Sequence, residues 1–178
     1  QYYDASNDEI LEVSTAYTFS TNDQLGDMMG AFYELIITTT VDLSIDLIAG
    51  YNWISFNVAP EDSSVAGILG ELGDNALFIQ SQTGGATNYG DYGWYGSLAT
   101  MDPINMYLLE MAGVATLTIT GMPVEASTPI ALIEGYNWIG FTPQNPGNIS
   151  LALESIVDDA VFIQSQASGS STNYGTYG

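Results

Sequence analysis

Gln80 and Gln82 stand two positions apart, and Gln164 and Gln166 repeat the pair. On a strand that spacing turns both amides to one face. Beside the first pair, Asn88, Tyr89, Asp91, Tyr92 and Trp94 crowd a glycine-rich turn. Amides that both donate and accept, a carboxylate and flat aromatic rings are groups that hold carbohydrate. This Tyr/Gly turn is therefore the first candidate binding site. The competing reading is an amide ladder that satisfies turn backbone. Asn52 and Trp53, repeated as Asn137 and Trp138, form a second aromatic and amide group. There the bulk of Trp favours packing, with Trp53, Ile54 and Phe56 in the core and the Asn closing a turn.

Acidic side chains are the other candidates. Asp4/Asp8/Glu9, Asp42/Asp46, Glu61/Asp62 and Asp158/Asp159 are clusters that oxygen-seeking calcium or another divalent cation would accept. None has the Asp spacing and central Gly of an EF-hand loop, and each alone reads better as a solvated face, although a charge of -21 favours some association with cations overall. A glycosidase needs two carboxylates across a cleft, one with a raised pKa, but among 21 acids a pair carries no information. Asn148-Ile-Ser150 is the one N-x-[ST] sequon and marks Asn148 as a candidate glycosylation site. Asn148 also suits a helix N-cap.

Composition closes off most other chemistry. The 178 residues include no Lys, Arg, His or Cys, and the formal charge at pH 7 is -21. Without cations the chain cannot neutralise nucleic-acid phosphates. His-based triads, Cys nucleophiles, Lys Schiff bases and arginine clamps are equally impossible, as are zinc, copper and haem sites built on His or Cys. No apolar run approaches the roughly 18 residues of a membrane-spanning helix, and anionic lipid would repel the chain. No catalytic set is recognised, and the expectation is a protein that is not an enzyme. A chain without Lys or Arg offers trypsin-like proteases no site. In acid near the carboxylate pKa of about 4 it would lose its self-repulsion. Both point to a harsh or cation-rich extracellular setting. Gln1 in place of an initiator Met fits a mature end left by signal-peptide removal.

These groups are placed by a duplication. Gly50-Tyr-Asn-Trp-Ile-Ser-Phe56 returns 85 positions later as Gly135-Tyr-Asn-Trp-Ile-Gly-Phe141, differing only at Ser55/Gly140. Phe78–Gln82 returns as Phe162–Gln166, and Thr87–Gly93 as Thr172–Gly178. Such self-similarity is the mark of a tandem repeat. Alternation predicts strands over 10–19, 32–39, 41–48, 50–58, 76–82, 104–111 and 114–120, and again over 130–133, 136–142 and 160–166. Helical spacing of Val65, Ile68, Leu69 and Leu72 predicts a short helix with Asp62 or Ser63 as N-cap and Gly73 as its stop. A second helix is expected near 149–157 behind Asn148. Residues 1–9 read as a loose or partner-dependent arm.

The expected fold is mainly β: two tandem β-rich repeats, each with one short helix, sandwich- or barrel-like. The divisions are 1–46, 47–127 for repeat 1 and 128–178 for a truncated repeat 2. Trp94-Tyr-Gly-Ser-Leu98 and two closing strands follow the first Tyr/Gly turn but not the second. Tyr33-Glu-Leu-Ile weakly resembles Tyr107-Leu-Leu-Glu, so the N-terminal strands are expected to complete a repeat. They would do so either within the chain, closing a two-unit ring, or in a neighbouring subunit, giving an open polymer.

From Leu47 to Gly178 the chain resembles a tandem repeat of secreted and cell-surface proteins, chiefly bacterial. Its pattern is G-[WY]-N-W-I-[SG]-[FY], a short helix, I-x-S-Q, a Tyr/Gly turn, G-W-x-G-S-L and a closing Y-x-[IL] strand. Here these are Gly50–Phe56, Ile79–Gln82, Gly93–Leu98 and Tyr107–Leu109. The second copy lacks the G-W-x-G-S-L element. The resemblance implies an extracellular or surface role in adhesion or envelope architecture, and brings no catalytic residues. Members of that group carry Lys, so the cation-free composition is this chain's own departure. The leading expectation is a structural extracellular protein that self-assembles head to tail into a filament, sheath or surface layer. The alternative is a carbohydrate-binding or adhesin module using the Tyr/Gly turns. The expected partners are copies of itself and glycans, with no nucleic acid and no membrane span.

Overall fold

The computed structural model describes residues 39–175 and the backbone of 2–4 and 9–11. The chain falls into two compact units, Gln1–Thr40 and Val41–Gly178. In the first, β1 (Tyr2–Asp4) pairs antiparallel with β2 (Glu9–Leu11), Tyr3 opposite Ile10. The expected loose arm therefore contains a short hairpin. The strand expected over 32–39, with Tyr33-Glu-Leu-Ile, and most of that over 10–19 lie outside the described residues.

The second unit is mainly β. A three-stranded antiparallel sheet runs in the order β3 (Val41–Leu47), β10 (Ala115–Pro123), β5 (Val58–Ala59). A five-stranded sheet runs β4 (Gly50–Ile54), β9 (Tyr107–Met111), β6 (Ala76–Gln80), β7 (Gly85–Asn88), β8 (Trp94–Gly96). Among the described residues each of the two sheets ends in strands paired on one side only, so the barrel option is not realised. The inward residues are those that alternation assigns: Leu47, Leu117 and Ile119 from one sheet, Ile54, Ile79, Tyr107, Leu109 and Met111 from the other. Outward on the smaller sheet, Thr116 and Thr120 donate to Asp46 at 3.0 Å and Asp42 at 2.5 Å.

Helix α1 (Val65–Leu69) continues as a 3-10 turn over Gly70–Asn75 and plugs this core with Val65, Ile68, Leu69 and Leu72. Its N-cap is Ser64, one residue past the expected pair. The Ser64 hydroxyl accepts from Gly67 N–H at 2.9 Å, and Asp62 supports the turn by accepting from Ser64 N–H at 2.9 Å. Those hydrogen bonds from Ser64 hold the Asp62 carboxyl below the ordinary Asp value. Gly73, at φ 54°, breaks the helical path as expected.

The second repeat is built differently. Helix α2 (Ile149–Ala152) begins at Asn148, and β11 (Phe162–Ser165) pairs with β12 (Gly169–Thr172). The strands expected at 130–133 and 136–142 do not form. The second signature segment makes one isolated bridge, Asn105 to Ile139. Among the described residues no strand lies between it and β11, the place that β9 holds in the first repeat. Side chains buried in repeat 1 are consequently bare here: Phe56 is 1% exposed and its counterpart Phe141 45%, and Leu132 and Ile149 are exposed where Leu47 and Val65 are buried.

Candidate functional site

The signature heptapeptide is laid down by its Asn. Asn52 accepts from Ile48 N–H at 2.9 Å and donates to the carbonyls of Ile48 and Gly50 at 2.8 and 3.1 Å. Asn137 makes the same three bonds to Ile133 and Gly135. Gly50 and Gly135 take φ of 87° and 96°, open only to glycine at low cost. The Asn closes a turn and its amide is consumed, so it has no free group for a sugar hydroxyl. With Asn52 and Ile54 directed inward, a period of two sends Tyr51 and Trp53 outward. Trp53 is exposed rather than in the core, which corrects the expectation that Trp53, Ile54 and Phe56 all pack inside. Strand β4 lies at the edge of its sheet.

The edge is covered by an amide from the other repeat. Gln166 accepts from Trp53 N–H at 2.6 Å and donates to Tyr51 C=O at 2.7 Å. Reciprocally, Gln82 accepts from Trp138 N–H at 2.7 Å and donates to Tyr136 C=O at 2.9 Å. Each repeat thus grips the signature backbone of the other with the last Gln of its F-I-Q-S-Q segment. The interface is extended by Asn57, which donates to Pro143 C=O at 2.9 Å, and by Gln144, which donates to Asn57 C=O at 2.7 Å. The one difference between the signatures also belongs here. Gly140 donates to Ile104 C=O at 2.8 Å, and a β-carbon on it would overlap the carbonyl oxygen of Pro103. Ser at this position would collide.

In the Tyr/Gly turn, Asn88 donates to Gly73 and Ala76 carbonyls, both at 2.9 Å, and accepts from Gly90 N–H at 3.0 Å. Asn173 repeats this pattern in the second copy. Gly90 and Gly93 hold positive φ around the 3-10 segment Gly90–Tyr92. Of the seven residues expected to form a groove, Gln82 and Asn88 are spent on backbone and Trp94 leans onto the core. Tyr89, Asp91 and Tyr92 are exposed, and Gln80 lies half-buried on β6. They do not converge on a cleft. The two depressions nearby are shallow: one of about 220 Å³ is bordered by Asp74, Leu77 and Asn88, the other, about 170 Å³, by Gln82, Asn105, Ile133 and Asn137.

Asp42 and Asp46 are held by threonine hydroxyls, and Asp158 and Asp159 are exposed beyond α2. Among the described residues no three acidic side chains gather as metal ligands would. Asn148 is exposed and accepts from Ser150 N–H at 2.8 Å, so its carboxamide oxygen caps α2.

The face that sequence reasoning passed over is the outer side of the five-stranded sheet. Register places Tyr51 opposite Glu110, Glu110 opposite Phe78, Phe78 opposite Thr87 and Thr87 opposite Tyr95. Strict alternation around the inward Asn52 and Ile54 was the available signal for its first member. No protein-family model, curated protein or solved structure matches this chain. No helix among the described residues is long and apolar enough to cross a membrane.

Proposed function

We propose that this is a structural extracellular protein that self-assembles head to tail, by strand addition, into a filament, sheath or surface layer. The observation that carries the reading is the place in the second repeat that no strand among the described residues fills. Repeat 1 is the template for what belongs there: β9 pairs with the signature strand on one side and β6 on the other. It also buries Tyr107 against Phe56, rings stacked 6.2 Å apart. In the second repeat Phe141 and Leu132 are exposed instead. Burying one such side chain is worth about 1.5–3 kcal/mol, so a strand with β9's alternation entering this place gains both apolar contact and backbone pairing. The occupant in this reading is a strand from a second copy, and Tyr33-Glu-Leu-Ile carries the matching alternation. The cation-free composition supports the extracellular setting. At 21 carboxylates per chain, acid or divalent cations would relieve the repulsion between copies.

The test is light scattering with electron microscopy of the full chain across pH, with and without calcium. Regular polymers, formed more readily on acidification or with calcium and blocked by Phe141→Asp, are expected. A single monomeric species under every condition ends the reading.

A further inference from the structure

The outer face of a solvated antiparallel sheet ordinarily alternates to polar side chains. Here it carries aromatic ones. Tyr51, Trp53 and Tyr95 are 52%, 40% and 61% exposed, and Tyr89 packs edge-on to Tyr95 with ring centroids 6.0 Å apart. Phe78 lies between them in the row, its ring over Gly85, where a β-carbon would come within 3.0 Å of the ring. With neighbouring strands about 4.8 Å apart, the row from Tyr51 through Glu110, Phe78 and Thr87 to Tyr95 is about 19 Å long. A second row beside it holds Trp53, Leu108, Gln80 and Gly85.

We propose that this face is a binding platform for a neutral polysaccharide chain laid across the strands. Three features select that ligand. A pyranose has an apolar C–H face that covers an aromatic ring, and exposed rings at intervals along a line suit a chain of such units. Between the rings stand Glu110, Thr87 and Gln80, which accept or donate hydrogen bonds to hydroxyl groups at the ring edges. Finally, the chain has no cationic side chain, and a carboxylate occupies the row itself. Anionic glycans and nucleic acids are repelled. The platform is independent of the open place in the second repeat, and it differs from the Tyr/Gly turn in using the sheet face rather than a groove.

The face is preorganised. Asn52 fixes the entry to β4, Gln166 covers that strand's free edge, and Asn88 with Gly90 fixes the turn into β8. A rigid platform loses little freedom when a ligand settles on it.

The experiment is retention of the full chain on insoluble cellulose, chitin and mannan and in gels containing xylan or laminarin, with alginate as the anionic control. The double variant Tyr51→Ala/Tyr95→Ala is compared with Tyr51→Phe/Tyr95→Phe and with Tyr92→Ala, which lies outside the row. All three change exposed positions, and circular dichroism checks that each is folded. The expected result is retention by at least one neutral polysaccharide and none by alginate. Affinity falls at least about tenfold in the Ala pair and is unchanged in the Phe pair and in Tyr92→Ala. Failure of every neutral polysaccharide to retain the protein, or equal retention of the Ala pair, overturns the proposal. So does loss of self-association, rather than of sugar binding, in the Ala pair, which would give the face to a second copy.

Discussion

Gln82 and Trp138 are joined across the repeat boundary by a side-chain carbonyl that accepts the tryptophan's main-chain N–H at 2.7 Å. With Gln166 on Trp53 as its counterpart, the pair makes each repeat hold the main chain of the other through a side-chain amide. Sequence variation in the exposed side chains of Tyr51, Trp53 and Tyr136 is therefore compatible with an unchanged junction.

Replacing Gln82 by Ala removes two hydrogen bonds, each worth about 0.5–1.5 kcal/mol net. Because both are exposed, a total near 1 kcal/mol is expected. Denaturant titration followed by tryptophan fluorescence checks it. In Gln82→Ala/Gln166→Ala the single transition is expected to split as the second repeat detaches first, whereas one unchanged transition would contradict the role assigned to the clamps.

Gly140→Ser makes the two signatures identical and is expected to be the more damaging of the reciprocal swaps. A β-carbon there meets Pro103 C=O and the adjoining backbone, and backbone cannot turn aside as a side-chain tip can. Overpacking of this kind costs about 1–3 kcal/mol. Ser55→Gly should cost no more than about 1 kcal/mol, from backbone entropy alone. Equal midpoints for the two variants in thermal unfolding would refute the close approach.

Asn52 and Asn137 make the same three bonds at different depths. Asn52 is buried and Asn137 is not. Asn52→Ala strands main-chain groups away from water, at a cost of about 1–3 kcal/mol. Asn137→Ala leaves the same groups to solvent and is expected to cost about 1 kcal/mol or less. The comparison, made by chemical denaturation, isolates burial from hydrogen-bond geometry.

Tyr107 predicts an alkaline limit. Burial raises its phenol above the ordinary tyrosine value of 10.0, opposed by its hydrogen bond with the Asp102 backbone. A raised folded-state pKa means that stability is intact below pH about 10 and is lost as pH rises from there through the folded pKa. Unfolding is expected to coincide with tyrosinate absorbance of one buried ring, and Tyr107→Phe should move that limit upward. An unmoved limit would show that another group sets it.

The mainly β fold, α1, β3 and the Asn148 cap were legible because each rests on local pattern: a period of two, helical spacing, a capping side chain. Strands 130–133 and 136–142 were misread for a non-local reason. Their alternation is sound, but a strand forms only where a neighbouring strand supplies a run of backbone partners, and Ile139 finds just Asn105. Trp53 lies outside despite its bulk because parity along the strand overrides size. Asn52 facing in already obliges its neighbour to face out. The Gln82 and Gln166 clamps were legible as a repeated pair of amides, but their targets lie 54 to 115 residues away along the chain, a pairing that spacing does not encode.

The threonine hydroxyls on Asp42 and Asp46 have a consequence for brine. In most proteins added salt works in two directions, weakening attractive ion pairs while damping repulsion. Here no ion pair between side chains exists to be weakened, and the cross-strand contacts that elsewhere join Lys to Asp are neutral donors reaching a carboxylate. Electrolyte can only relax the mutual repulsion of the carboxylates, so its electrostatic effect on this fold has a single sign. Concentrated sea salt should stiffen the protein rather than loosen it.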